Sequence, residues 1–275
     1  MYDTEPAFET TPPFVVSTSE HGLWWLSLNR PKSINALSSD MIAAIHGELE
    51  TALAQNSTKV IVISGGDRGF CAGHDLKEIN AHRADIDGGR AFYEGLFASC
   101  TAMMMAIRNA DVPVIAMVDG ISTAAGCQMM ATCDMVISSD RSRFGVNGID
   151  AGLFCSTPMV ALSRDIPQKA AMEMLTSGTM IDAHRAERLG LINRVVAAEA
   201  LKDETEALAL KIAARSKAVV GLGKKAFYEQ AAMSLEDAYA HTSKVIVDNL
   251  MMDDACEGIQ AFTEKRKPEW PSEKP

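Results

Sequence analysis

Two short runs in this 275-residue chain set small residues at a change of structural type, and both could leave backbone donors unpaired. In Gly69-Phe70-Cys71-Ala72-Gly73-His74-Asp75-Leu76-Lys77-Glu78, an apolar run stops at glycines and Asp75 opens a helical pattern. In Asp119-Gly120-Ile121-Ser122-Thr123-Ala124-Ala125-Gly126-Cys127-Gln128, a second apolar run ends and small residues again precede a helix. The first N–H groups of a helix have no partner within it and carry the positive end of its dipole. Small side chains leave such groups uncovered, so a ligand can approach the backbone closely. Either run alone is also ordinary loop construction. Together they describe two strand ends of one sheet whose donors could converge on a single oxygen, the arrangement that stabilises an oxyanion.

The remaining reactive side chains form no such pattern. The six cysteines are scattered, with no CxxC pair and no Cys/His cluster at zinc spacing, and read as small buried hydrophobes in a reducing compartment. His21, His46, His82, His184 and His241 share no motif, so no metal site is expected. No Ser-His-Asp arrangement is readable from spacing.

The elements that must hold the two runs follow from periodicity. Phe14 to Ser17 and Leu23 to Leu28 flank Glu20-His21-Gly22 and read as a hairpin. Ser38-Ser39-Asp40 supplies cap chemistry for a helix from Met41. Lys59 to Ser64 and Val112 to Val118 are buried strands, separated by a Met-rich helix over about 89–109. Ala124 to Thr132 is helical, Met135 to Ser138 a strand, and Arg143 to Val146 a further short one. Strand, crossover helix and strand thus repeat, which implies a parallel α/β sheet. Beyond Pro158 the pattern is helical almost throughout, and the division falls between a core, 1–195, and a helical C-terminal segment, 196–275. Such a segment is too amphipathic to stand alone and should pack on its own core or on another subunit.

Composition narrows the partners. Apolar residues make up 47%, and a chain of this size buries roughly 75% of its unfolded surface. The net charge of −10 gives no basic face for nucleic acid. No apolar run approaches the roughly 20 residues of a membrane span. The acidic N-terminus, MYDTEPAFETTPPFVV, is neither a secretory signal nor an Arg-rich transit peptide, so the expected location is cytoplasmic.

Four ordered blocks carry a specific resemblance: LNRPKSINALSSDM (28–41), GFCAGHDLKEI (69–79), VDGISTAAGCQMMATCD (118–134) and FTEKRKPEW (262–270). They resemble the crotonase (enoyl-CoA hydratase/isomerase) superfamily over about 14–270. LFCSTP (153–158) and the ending EKRKP further resemble its less characterised enoyl-CoA hydratase domain-containing subgroup. The resemblance implies a spiral of repeated ββα units with a helical trimerisation segment, assembled as a homotrimer or a dimer of trimers. It implies an acyl-coenzyme A as ligand or substrate, with no further cofactor. The oxyanion donors it implies are the N–H groups of His74 and Ala125, with His74 contributing through its main chain and a side-chain acid/base role as the alternative. Coenzyme A contacts map onto Lys32, Ile34, Ala72, Asp75, Leu76 and Lys77, with Lys265 placed to reach the adenosine phosphates from its own or a neighbouring chain.

The sequence departs from the family where proton transfer is done. The two glutamates that hydratases use fall on Gln128 and Gly148. An amide can orient water but cannot take its proton, and a general acid or base contributes about 10² to 10⁴-fold each. Ordinary hydratase activity is therefore not expected, while binding should survive; restoring both glutamates is expected to raise it. Asp150, if its loop shifts, and Ser156, at a register where some relatives carry a working aspartate, are substitute candidates. Ser156-Thr157-Pro158 is equally ordinary helix-start chemistry. The readings left open are an acyl-CoA-processing enzyme, a thioesterase or decarboxylase variant, and a non-catalytic acyl-CoA-binding protein.

Overall fold

The structure is a computed structural model that describes residues 12–66 and 68–274; the N-terminal stretch read above as free of a signal lies mostly outside them. The chain opens with β1 (Val15–Glu20) and β2 (Leu23–Leu28), an antiparallel hairpin turned by His21 and Gly22, both at positive φ. Helix α1 (Ser39–Ala54) follows, capped by the Ser38 side chain, which accepts the Met41 N–H. Three rounds of a two-strand unit come next. In the first, β3 (Val60–Ser64) and β4 (Gly69–Cys71) lead to α2 (Leu76–Ala81) and α3 (Arg90–Asn109). In the second, β5 (Val114–Val118) and β6 (Ile121–Thr123) lead to α4 (Ala125–Thr132). In the third, β7 (Met135–Ser139) and β8 (Arg143–Gly145) lead through a short 3₁₀ turn to α5 (Pro158–Asp165) and α6 (Gln168–Ser177). Then come β9 (Ile181–Asp182), α7 (Ala183–Leu189), β10 (Arg194–Val196) and four helices, α8 (Leu201–Ala213), α9 (Lys217–Gln230), α10 (Leu235–Leu250) and α11 (Asp253–Glu264).

The first strand of each unit joins one sheet and the second joins another. The six-stranded sheet runs β1-β2-β3-β5-β7-β10, and the four-stranded sheet runs β4-β6-β8-β9. Beyond the hairpin the larger sheet is parallel, and so are β4, β6 and β8 in the smaller one. Residues of β3 are buried on both faces, as a parallel strand covered on each side requires. Ile61 and Ile63 face Leu49, Met103 and Ile107 of α1 and α3, while Val60 and Val62 face Ala209 and Ala213 of α8. The strands β4 and β6 were not anticipated, because three residues cannot display an alternation. Their pairing has the main functional consequence: adjacent parallel strands end at the same edge, so the two glycine-rich turns leave side by side.

Helix α9 is pinned to the core by a buried polar cluster. Lys224 Nζ donates to the Val112 carbonyl at 3.0 Å and the Asp134 carboxylate at 2.7 Å, and the Tyr228 hydroxyl donates to the same carboxylate at 2.7 Å. Helix α10, in contrast, has no buried residue along its 16 positions.

Candidate active site

The first turn is built on Gly73, whose φ of +85° only glycine adopts freely. The Leu37 N–H donates to the Gly73 carbonyl at 2.8 Å, and the Asp75 N–H donates to the Leu37 carbonyl at 3.0 Å. This parallel bridge uses the groups on either side of His74 and leaves the His74 N–H without a partner among the described residues. Asp75 then caps α2, accepting the N–H groups of Lys77 at 3.0 Å and Glu78 at 3.4 Å, while its other oxygen meets Arg30 at 2.8 Å. Partial burial raises its pKa, but the Arg30 guanidinium and the two amides outweigh this and hold it below the usual carboxylate value.

The second turn is built on Ala124, at φ 49° and ψ −122°, a backbone that alanine adopts only with strain. The Ala124 N–H donates to Gly145 at 2.9 Å, and the next amide, that of Ala125, opens α4 unpaired among the described residues. A Cβ on Gly126 would stand 2.3 Å from the Cys71 carbonyl oxygen, and one on Gly73 would stand 3.1 Å from the Ala125 nitrogen. The turns touch through positions that tolerate no side chain, which sets the Ala125 nitrogen close to Gly73, the residue before His74.

Both turns open into a cavity of about 600 Å³. Ala72, His74, Leu76, Ile79 and Phe97 form one wall; Thr123, Ala124, Ala125 and Asn147 form the floor; Gly148, Asp150 and the 153–158 loop form the other wall. The His74 ring stands edge-on to Phe97, with centroids 4.9 Å apart, and neither ring nitrogen has a hydrogen-bond partner among the described residues. Burial lowers its pKa below 6.5; the Leu37 carbonyl, outside hydrogen-bond geometry, and Glu78 pull weakly the other way. Asn147 and Thr123, which the sequence reading missed, are hydrogen-bonded through the Thr123 hydroxyl and the Asn147 side-chain oxygen. The signal was available in part, since Asn147 adjoins Gly148.

The other expected residues distribute unevenly. Asp150 lies exposed on the cavity rim, its carboxylate over Gly178 at the end of α6. Ser156 lines the cavity, and its hydroxyl donates to the Phe154 carbonyl at 3.3 Å rather than capping α5. Gly148 is in the wall, and its missing side chain is replaced by the Leu153 carbonyl and the Cys155 sulfur. Gln128 does not line this cavity. It is 8% exposed and faces a separate space of about 320 Å³ between α3, α4 and α5, its Oε1 unpartnered among the described residues. Of the coenzyme A candidates, Ala72 and Leu76 line the cavity, and the Ala72 N–H donates to the Ile34 carbonyl at 2.9 Å. Lys32 lies exposed in the turn just before Ile34, and Lys77 is exposed on α2. Lys265 ends α11 at φ 57° and lines no part of the cavity in the single chain.

No group of three metal-ligating side chains and no helix long and apolar enough to cross a membrane occurs among the described residues.

Comparison with known proteins agrees with the fold and corrects one expectation. The enoyl-CoA hydratase/isomerase family profile matches residues 18–273. Mitochondrial enoyl-CoA hydratase domain-containing protein 3 of Xenopus laevis is 45% identical over 258 residues, covering 94% of this chain and 86% of that protein. The crystal structure of an enoyl-CoA hydratase from Mycobacterium smegmatis superposes with a TM-score of 0.89 at 46% identity, over 94% of this chain and 99% of that one. The crystal structure of human enoyl-CoA hydratase domain-containing protein 3 gives a TM-score of 0.89 at 44% identity, over 94% and 100%. The Xenopus relative and its rat and human counterparts are mitochondrial by name, which overturns the cytoplasmic expectation. That expectation rested on the N-terminal stretch, whereas the likeness lies in the folded core, which does not encode a compartment. With the match spanning both sheets, both turns and the C-terminal helices, this chain belongs to the enoyl-CoA hydratase/isomerase (crotonase) family.

Proposed function

We propose that the chain binds an acyl-coenzyme A with its thioester oxygen between the N–H groups of His74 and Ala125, so that a thioester enolate is stabilised there. The observation that carries this reading is the pair of unpaired amides at adjoining turns, opening on one largely apolar cavity. Main-chain donors fixed in a desolvated site need no reorganisation as negative charge develops, and each contributes about 10² to 10³-fold. Coenzyme A enters as part of the ligand, with Lys32, Ile34, Ala72, Asp75, Leu76 and Lys77 as its contact candidates; the lysines suit phosphate as compact charges. Asp75 acts through α2 and Arg30, since its carboxylate is already engaged.

Hydration of an enoyl thioester is a poor fit, because Gln128 faces another cavity and Gly148 presents only backbone. The same wall favours a second reading, a protein that binds acyl-CoA without turnover. Calorimetric titration with butyryl-CoA, beside turnover of crotonyl-CoA, tests both. Binding with no more than trace hydration is the expected result; absence of binding rules out the proposal.

The chain is also proposed to assemble as a trimer or a pair of trimers. Tyr239, Ile246 and Leu250 on α10 and Phe262 on α11 are more than half exposed, and a helix with no fully buried residue and an apolar exposed face calls for a neighbour. Such a neighbour is what Lys265 needs to reach an adenosine phosphate.

A further inference from the structure

We propose that the side-chain amide of Asn147 selects the acyl group of this site, favouring a 3-oxoacyl thioester by donating to the oxygen on its β-carbon. The inference rests on the acyl-CoA reading above and names the class of acyl chain.

Asn147 is fixed at the same corner as the Ala125 amide. Strands β6 and β8 pair with Thr123 opposite Gly145, and the Gly145 carbonyl accepts the Ala124 N–H at 2.9 Å. Asn147 follows two residues beyond Gly145, and its Oδ1 accepts from the Thr123 hydroxyl. That bond decides which way the amide faces, with Oδ1 turned to Thr123 and Nδ2 away from it. Nδ2 has no hydrogen-bond partner among the described residues and, unlike the His74 ring nitrogens, is not a buried atom. Asn147 is half-buried, and the surface it keeps belongs to the cavity floor beside Ala124 and Ala125. Two N–H bonds thus stand free where an acyl chain leaves the oxyanion donors.

The rest of the lining narrows the choice. Leu76, Ile79, Phe97, Leu153 and Phe154 suit hydrocarbon. Among the described residues that line the cavity there is no Lys or Arg, and Asp150 stands at the rim, so a carboxylate on the chain would lack a counter-charge. The Thr123 hydroxyl is engaged with Asn147 and that of Ser156 with the Phe154 carbonyl, while Thr157 lies across the cavity at the head of α5. The floor presents N–H donors above all. A carbonyl oxygen needs nothing else, whereas a hydroxyl also needs an acceptor for its own proton.

In a 3-oxoacyl thioester the two oxygens sit on carbons separated by one methylene, so both point to one side when the chain is bent. With the thioester oxygen between the His74 and Ala125 amides, the second oxygen falls toward the next donor along the floor, Asn147. A saturated chain would leave that amide facing hydrocarbon, stripped of water with no bond in return.

Isothermal titration of the full-length protein with 3-oxobutyryl-CoA, butyryl-CoA and 3-methylbutyryl-CoA tests this, the last carrying a methyl where the oxygen would be. The wild type is expected to bind the 3-oxo ester about 3- to 10-fold tighter than the other two, the range of one neutral hydrogen bond. Asn147→Ala should erase this preference, read as the ratio of affinities on the same variant. Asn147→Asp, which keeps the shape but replaces donors by acceptors, should reverse it. Thr123→Val, which frees the amide to turn, should reduce it in part. Equal binding of the three esters by the wild type overturns the assignment while the acyl-CoA reading stands, and that ratio decides even where a variant fails to fold. Variants of Asn147 that bind butyryl-CoA and keep the preference overturn it too. An equal preference for 3-hydroxybutyryl-CoA overturns the choice of a 3-oxo group. Failure of the wild type to bind any of the esters overturns both readings.

Discussion

The Leu153 N–H donates to the Gly148 carbonyl at 2.9 Å, and the Leu153 carbonyl stands 2.7 Å from where a Gly148 Cβ would be. The loop is closed against the face of the glycine, with the Cys155 sulfur 2.8 Å from the same point. A backbone oxygen cannot swing aside as a side-chain tip can. The absent glutamate is therefore a position whose volume has been reassigned, and the expectation that two substitutions would restore hydration does not survive this geometry. Gln128→Glu with Gly148→Glu should leave crotonyl-CoA hydration at background. Gly148→Ala alone should cost about 1–3 kcal/mol by overpacking, read as a lowered denaturant midpoint. Efficient hydration by the double variant would show that the loop opens readily.

The two turns predict a coupled pair. A Cβ on Gly73 would lie 2.8 Å from the Ala124 methyl carbon, and Ala124 itself is held at positive φ. Ala124→Gly removes backbone strain of about 1–3 kcal/mol and gives back about 0.5–1 kcal/mol in chain entropy. A net gain near 1 kcal/mol is expected. Gly73→Ala should destabilise by more than it gains from the unfolded state, and part of that loss should disappear when Ala124→Gly is also present. Simple additivity in a double-mutant cycle by urea unfolding would mean that the turns do not press on one another.

How far the site was readable depended on the range of the interactions that fix it. Ser38 capping α1, the hairpin at His21-Gly22 and the buried run of β3 are local patterns, and the chain carries them openly. The glycines of both turns were readable as donors-in-waiting for the same reason. What makes them one site is β4 pairing with β6, Gly69 opposite Ile121, across a separation that no local pattern records. The direction of Gln128 was also hidden. About one helical turn past Ala125, its side chain could face either cavity, and only the packing of α4 between α3 and α5 decides which. The His74 ring was likewise undecided until Phe97 of α3 was seen to lean on it.

Stability should carry a histidine signature. Because the folded pKa of His74 lies below the unfolded value near 6.5, the unfolded chain binds the extra proton first as pH falls. The associated stability is complete above about pH 6.5, falls as pH drops below it, and levels off beneath the folded pKa. His74→Phe, which keeps the ring contact with Phe97, should flatten this slope between about pH 5 and 7 in urea midpoints. An unchanged slope would place the imidazole in water.

The docking of α9 rests on one cation. Lys224 is 7% exposed in its side chain and Asp134 13%, with Asp134 also accepting the Val114 N–H at 2.7 Å. Lys224→Met retains the stem but leaves the carboxylate without its counter-charge, a loss of about 3–5 kcal/mol for a buried pair broken on one side. Hydrogen exchange should show α9 to α11 losing protection before β3 and β5. Asp134→Asn with Lys224→Met should recover part of the loss, because no unpaired charge remains; no recovery would mean that the pair's attraction, and not the stranded charge, sets the cost.

The exposed face of α10 makes the last prediction. Ile246 is 54% exposed and Leu250 52%, one turn apart, with Tyr239 at 69% two turns further back along the surface. If neighbouring subunits cover this face, Ile246→Glu with Leu250→Lys should reduce the sedimenting species to the single chain of 29.6 kDa. Because about half of each of these side chains is already exposed in the single chain, the unfolding midpoint should fall mainly through the lost association, and should become independent of protein concentration. Should Lys265 serve the pocket of a neighbour, butyryl-CoA affinity would fall in the same variant, with Lys265→Ala adding no further loss. An unchanged assembly would place the subunit contact on another face.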